Sequence, residues 1–340
     1  MEPATHWPES VCLFPEMPRR MSSERGAFVL LKKAALVCFA LLLLLAGTLV
    51  LKEKEEKQIP GEYTVGVVLK AMDSEHWLSV RSGMREEAKA KGVRLIVVTP
   101  ENEAAYGEQN KIIEDLLGNN IDALVVSPVN LHHTAGWISL AKERGIRLLT
   151  VDEKINGIPC VGANNYNIGR LAAREMARLL PPGSQVSVMG GSANQEAHIR
   201  RMEGFRDGIR EETELELVAS LADETKYRQA TIQSENLLRL YPELKGMFVT
   251  SAIMTLGVAD ATRSRDIKLI GVDTQTDALR ALKNGSIDAM ISQNGREIGM
   301  MAIDIVLEML QGREVPGSAF IENEVIRNDN ADEYLQQEEF

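Results

Sequence analysis

Short runs rich in Val, Ile and Leu alternate with longer stretches of helical period from residue 63 to residue 310, and that alternation narrows what this chain can fold into. The β-rich runs are Tyr63 to Leu69, Arg94 to Thr99, Asp122 to Ser127, Ile146 to Val151, Gln185 to Met189, Gly246 to Thr250, Lys268 to Val272 and Ile287 to Ser292. Between them, apolar residues recur at three- and four-residue spacing: Ile112, Leu116 and Leu117; Ile168, Leu171, Ala172, Met176, Leu179 and Leu180; Ile298, Met301, Ile305 and Met309. Runs that are apolar on both faces, each followed by a one-sided helix, predict parallel sheets covered by helices on both sides. Lys91-Gly92, Arg144-Gly145 and Asn284-Gly285 each set a glycine just before a strand, where a helix ends in a left-handed cap.

A second feature decides where the fold is displayed. Residues 34–51 form an apolar run, with Thr48 as its polar member, between a basic approach (Arg19, Arg20, Arg25, Lys32, Lys33) and the charged stretch 52–57. As a helix the run rises about 27 Å, close to the roughly 30 Å hydrocarbon core of a bilayer. The competing reading is a secretory signal, whose apolar region is shorter, about 7–15 residues, and ends at a small-residue cleavage site. Here Leu45-Ala46-Gly47 is a poor candidate for such a site, and the run is expected to be an uncleaved anchor. Its basic flank puts the N-terminal segment 1–33 in the cytoplasm and everything after the linker 52–61 outside, a single-pass protein of the cell membrane. Met21 is an alternative start.

About 280 residues follow the anchor, near the size at which a single core divides into lobes. The net charge of -11 argues against nucleic acid, which requires a concentrated basic face. Of the three cysteines, Cys12 precedes the run, Cys38 lies in it and Cys160 is alone beyond it, so no disulfide framework is available. Cys160 reads as a small buried hydrophobe.

In parallel sheets ligands bind beyond the carboxyl ends of the strands. There the sequence places Asp73-Ser74, Thr99, Ser127-Pro128, Asp152-Glu153, Gly190-Gly191-Ser192, Thr250-Ser251, Asp273-Thr274 and Gln293-Asn294. Hydroxyls, amides and carboxylates suit a neutral, polyhydroxylated ligand. Other readings are weaker. His132-His133 invites a metal, but neighbours on a helix diverge by about 100° and no third ligand stands at a familiar spacing. Gly190-Gly191 lacks the Lys-Ser/Thr of a phosphate loop and reads as a tight turn. Asp73, Glu75, Asp152 and Glu153 either make an acidic site for a cation or amine or belong to two unrelated turns. No nucleophile elbow, zinc spacing or positioned acid pair marks an enzyme.

From Tyr63 to Asn328 the chain resembles the type I periplasmic binding proteins, in particular the ribose- and galactose-binding branch. The marks are Val65 to Leu69 followed by Asp73-Ser-Glu-His-Trp77, Gly83 to Ala88, Ile121 to Pro128, Leu149 to Asp152, Arg201-Met-Glu-Gly-Phe205, Leu269 to Asp273 and Ile291 to Gln293, in the family's order. The resemblance implies two α/β lobes, each a doubly wound parallel sheet, joined by three crossings: residues 62–163 plus 294–320 as lobe I, 164–293 plus 321–328 as lobe II, and an acidic tail 329–340. By the same pattern, His76 and Trp77 fall where rings meet a sugar and Ser74 where an amide often sits. Asp152 matches a hydroxyl-binding carboxylate, Arg201 a forked donor from lobe II, and Asn164, Asp273 and Gln293 lie at or near crossings. Glu153 stands where ribose receptors carry arginine, Ser251 where asparagine is usual, and Ala252 replaces an acidic residue. A second ring is expected near Asp223 to Tyr227.

The implied function is a membrane-tethered sugar-binding protein, without catalysis, cofactor, metal or nucleic-acid partner, that presents its ligand to the permease of an ABC importer. The alternative is a sugar-sensing co-receptor for a membrane histidine kinase. A repressor with this ligand-domain fold would need a helix-turn-helix where the apolar run stands.

Overall fold

The computed structural model describes residues 63–337, except 73, 103, 104 and 194. The expected cytoplasmic segment, anchor and linker, like Asp73, lie outside the described residues. No described helix is long and apolar enough to cross a membrane.

The first half of the fold runs β1 (Thr64–Val68), α1 (Glu75–Lys91), β2 (Arg94–Val98), α2 (Tyr106–Leu117), β3 (Ala123–Val126), α3 (Ala135–Glu143), β4 (Arg147–Val151) and β5 (Cys160–Ala163). The second runs α4 (Asn165–Leu179), β6 (Gln185–Gly190), α5 (Glu196–Glu212), β7 (Glu216–Ala222), α6 (Tyr227–Leu240), β8 (Leu244–Val249), α7 (Ala252–Thr262), β9 (Lys268–Val272), α8 (Thr276–Lys283) and β10 (Ala289–Ser292). The chain then returns through α9 (Gly295–Leu310), β11 (Ser318–Ile321), β12 (Glu324–Ile326) and α10 (Ala331–Gln337). Part of the expected acidic tail is therefore helical, and Tyr334 and Ala331 bury it against lobe II.

The strands make two six-stranded sheets, ordered β11-β5-β4-β3-β1-β2 and β12-β10-β9-β8-β6-β7. Each lobe repeats one plan, with one strand contributed by the chain's last pass. Pairing is parallel throughout except for β12, which runs antiparallel to β10. The eight β-rich runs of the sequence all appear as strands; β5, β7, β11 and β12 were not anticipated. The physical reason is visible in β7, β11 and β12, edge strands whose half-exposed, mixed residues break the apolar run that marks a central strand.

Alternation along the strands sorts the core. Val65, Val67, Ala123, Val125, Leu149 and Val151 face α1 and α9, while Val68, Leu124, Val126 and Leu148 face α2 and α3. In lobe II Val186, Val188, Phe248, Ile270 and Val272 face α4 and α5, and Met247, Val249 and Leu269 face α6 to α8. One helix pair in each lobe meets backbone to backbone. A Cβ on Gly204 of α5 would collide with the Tyr166 carbonyl of α4, and one on Gly299 of α9 with the Val80 carbonyl of α1. Gly92, Gly145 and Gly285 all take the left-handed conformation expected of helix stops.

Candidate functional site

At the carboxyl ends of both sheets the backbone itself is unusual. Asp152, Asp273 and Asn294 are the non-glycine residues with positive φ among those described, at 70°, 87° and 53°. Such conformations are uncommon outside glycine and concentrate where a site dictates side-chain direction. Asp152 follows β4 and its amide bonds the Val161 carbonyl of β5 at 2.8 Å; Asp273 follows β9 and its amide bonds the Ile291 carbonyl of β10 at 2.9 Å. The two aspartates occupy the same position in the two lobes.

Arg201 joins them. It sits on α5, only 4% exposed, whereas the adjacent Arg200 is exposed and pairs with Glu203. The helix turns Arg201 inward because Gly204 and Phe205 hold the next turn against α4 and the core. Its Nε donates to Asn165 Oδ1 at 2.8 Å, one Nη to the Thr250 carbonyl at 2.8 Å and the other to Gln293 Oε1 at 2.6 Å. Asn165 in turn donates to Asp152 Oδ1 at 3.4 Å, and Gln293 Nε2 to Asp273 Oδ1. Asp273 also accepts from the Ala252 amide at the start of α7, at 3.4 Å. One network thus runs from lobe I through two crossings to lobe II.

The lobe I end of the network is charged. Lys70, two residues past the end of β1 and 2% exposed, donates to Glu153 Oε1 at 2.8 Å and to Asp152 Oδ2 at 3.3 Å. Burial pushes the Asp152 carboxyl up, but Lys70, Arg201 and His76 outweigh it and hold it at about 2. Burial prevails at Glu153, whose pKa is raised despite Lys70. Glu153 Oε2 and Ser251 Oγ are buried without a hydrogen-bond partner.

His76 packs edge-on to Trp77, with ring centroids 4.8 Å apart, and burial lowers its pKa against the opposing pull of Asp273 and Asp152. Trp77 itself is buried in the lobe I core, with Lys70 Nζ 5.6 Å from its ring. Ser74 caps the start of α1 through its carbonyl, which accepts from the Trp77 amide. Asn164 is exposed and caps α4, accepting from the Asn167 amide, while its neighbour Asn165 enters the network. In the 223–227 stretch expected to supply a second ring, Tyr227 is exposed and bonded to Asp260, outside the network. Behind Arg201, buried His198 contacts Thr250 Oγ1 at 2.7 Å, and burial, reinforced by Arg201 and Lys70, lowers its pKa to about 3.

Lys70, Asn165 and His198 were not among the residues expected to line the site, and Glu75, weighed with Asp73, Asp152 and Glu153 as an acidic site, bonds the opposite lobe instead. Glu75, in the first turn of α1, reaches across to lobe II and accepts from the Thr276 amide and hydroxyl at 2.6 and 2.8 Å, capping α8 from the opposite lobe. His132 and His133 lie in a short 3₁₀ turn, where His133 stacks on Tyr106. Among the described residues no group of three or more His, Cys, Asp or Glu is placed to hold a metal ion. Cys160 is buried, and burial pushes its thiol up to about 11.

Two α/β lobes with matched strand order, joined by three crossings and bridged by polar groups at their facing strand ends, define a type I periplasmic binding protein. Residues 65–314 match the periplasmic binding protein domain family, and the chain belongs to it. The ribose import binding protein of Bacillus subtilis (strain 168) is 27% identical over 259 residues, which cover 75% of this chain and 84% of that protein. An ABC transporter periplasmic solute binding protein from Actinobacillus succinogenes 130z, solved with bound D-allose, superposes with a TM-score of 0.75 at 22% identity, covering 80% of this chain and 100% of that one. A chain of the XylFII-LytSN complex superposes with a TM-score of 0.70 at 22% identity, covering 78% and 98%.

Proposed function

We propose that this chain is an extracytoplasmic sugar-binding protein, tethered to the membrane by residues 34–51, that closes over a small carbohydrate and delivers it to an ABC importer. The observation that carries this reading is the Arg201 network: one buried guanidinium ties lobe II to Asn165 and Gln293, and through them to the carboxylates of Asp152 and Asp273. Forked donors and carboxylates at the ends of strands from both lobes match the alternating donors and acceptors of a polyol. A ligand that touches both lobes only when they are together shifts the population toward the closed form, which a membrane partner can read. The names of the relatives support the ligand class, since they bind ribose or allose. No chemistry is performed on the ligand in this reading.

Ser74, His76, Asp152, Glu153, Ser251, Asp273 and Gln293 belong, in this proposal, to the lining, with Arg201 as its central donor. Trp77 and Asn164 contribute through packing and helix capping. A thermal-shift screen of the full chain in detergent against pentoses and hexoses tests the reading, because a ligand specific for the folded state raises its melting temperature. Absence of any shift with carbohydrates sinks it, as does an unchanged shift in Arg201→Ala.

A second reading replaces the importer by a membrane sensor kinase. The fixed tether favours it, and so does the fold shared with a chain of the XylFII-LytSN complex. Genes for a permease and ATPase beside this one support import; an adjacent kinase and response regulator support sensing.

A further inference from the structure

The charge balance of the network goes beyond the carbohydrate reading, on which this inference rests, to the substituent the ligand carries. Asp152, Glu153 and Asp273 supply three carboxylates, and Lys70 and Arg201 supply two cations. His76 and His198 do not make up the difference, because burial favours the neutral ring in both. Burial also works against the charge of Glu153, raising its pKa, and among these carboxyls Glu153 is the one short of a donor. Glu153 is 2% exposed, its Oε1 is taken by Lys70, and its Oε2 is buried with no donor.

Glu153 lies within electrostatic range of charges from both lobes. The charged groups that face it are Lys70 and Asp152 from lobe I and Glu196, in the first turn of α5, from lobe II. Two of those three are acidic. Ser251 Oγ, at the start of α7, is a second buried polar atom without a partner, on the lobe II side. A buried carboxylate oxygen that lacks a donor is costly. A neutral sugar hydroxyl meets its hydrogen-bonding need and leaves the charge; an ammonium group meets both, with a shorter and stronger bond.

We propose that the polar network at the strand ends selects a sugar bearing a primary amine, whose ammonium group binds the free oxygen of Glu153 while its hydroxyls engage Arg201, Asp152 and Asp273. This replaces the neutral ligand by the acidic-site alternative that the sequence left open for Asp152 and Glu153, and the cause is the unpartnered oxygen of Glu153.

Isothermal titration of the full chain in detergent at pH 7 tests the proposal with D-glucosamine, D-galactosamine and D-mannosamine, each beside its neutral parent sugar and its N-acetyl derivative, and with D-ribose as a pentose control. At least one amine is expected to bind tenfold or more tightly than its parent, and acetylation, which removes the charge, is expected to abolish the advantage. Glu153→Gln is expected to bring amine and parent within twofold. The acetylated arm uses unaltered protein, so the result stands even if that variant folds poorly. Neutral sugars binding as tightly as the amines overturn the amine preference and leave the carbohydrate reading in place. Binding by none of these sugars overturns both.

Discussion

Asp152 and Asp273 share one backbone geometry and live in different chemistry. Each ends the equivalent strand in its lobe, each has a left-handed φ, and each amide bonds the neighbouring strand. In lobe I the aspartate answers a buried lysine, with a second carboxylate beside it. In lobe II it accepts from a glutamine side chain and a helix amide, and the cation of that lobe, Arg201, is bonded to neutral oxygens. Lobe I presents a wall of charge pairs; lobe II presents one cation cradled by amides and carbonyls. The backbone plan is duplicated because core packing and strand order set it, whereas side chains beyond the strand ends are free to diverge.

That contrast can be broken in order of expected effect. Lys70→Met leaves two buried carboxylates facing each other and is expected to destabilise lobe I by about 4 kcal/mol in urea unfolding; the double variant with Glu153→Gln should recover part of the loss. Arg201→Met removes three charged-donor bonds to neutral partners, and a loss of about 3 kcal/mol is expected. Equal losses for Lys70→Met and Arg201→Met would erase the distinction between the walls.

The helix pairs, by contrast, are built alike. Gly204→Ala and Gly299→Ala each drive a methyl into a carbonyl of the partner helix and are each expected to cost about 2 kcal/mol. A large difference in melting temperature between them would show that the duplicated plan is not energetically duplicated.

The dependence on pH sharpens the contrast further. His198 titrates near 3 when folded, against about 6.5 in an unfolded chain, so between those values the unfolded state holds the extra proton. Its stabilising contribution is complete above about pH 6.5 and falls away on acidification, at up to about 1.4 kcal/mol per pH unit. His198→Asn should flatten that slope in denaturation curves between pH 6 and 4. Last, Glu75→Ala removes a helix cap supplied by the other lobe and is expected to cost about 1 kcal/mol. Small-angle scattering without sugar should then show a larger radius of gyration; an unchanged radius would mean that the clasp does not bias closure.

How much of this was readable in the residues follows from where each signal originates. Central parallel strands announce themselves because both faces are buried, so β1, β3, β4, β8, β9 and β10 read as apolar runs. Edge strands such as β11 carry no such mark. Arg201 was legible through its spacing to Gly204 and Phe205, which packing enforces. Lys70 was not, since a lysine at a strand end reads as exposed and its burial depends on Glu153, 83 residues away. The choice between Asn164 and Asn165 turned on the rotation of α4, which adjacent identical residues do not reveal. Glu75 was weighed with the neighbouring acids rather than as a cap, because its partner Thr276 is 201 positions distant.

The three passages between sheets, after Ala163, after Ser292 and after Ile321, give the molecule a braided spine. A lone proteolytic nick at any of them leaves two covalent ties, so neither half can drift off. In the proposed function, the motion this spine leaves is a swing rather than a slide, and that swing covers and uncovers the carboxylates and the guanidinium.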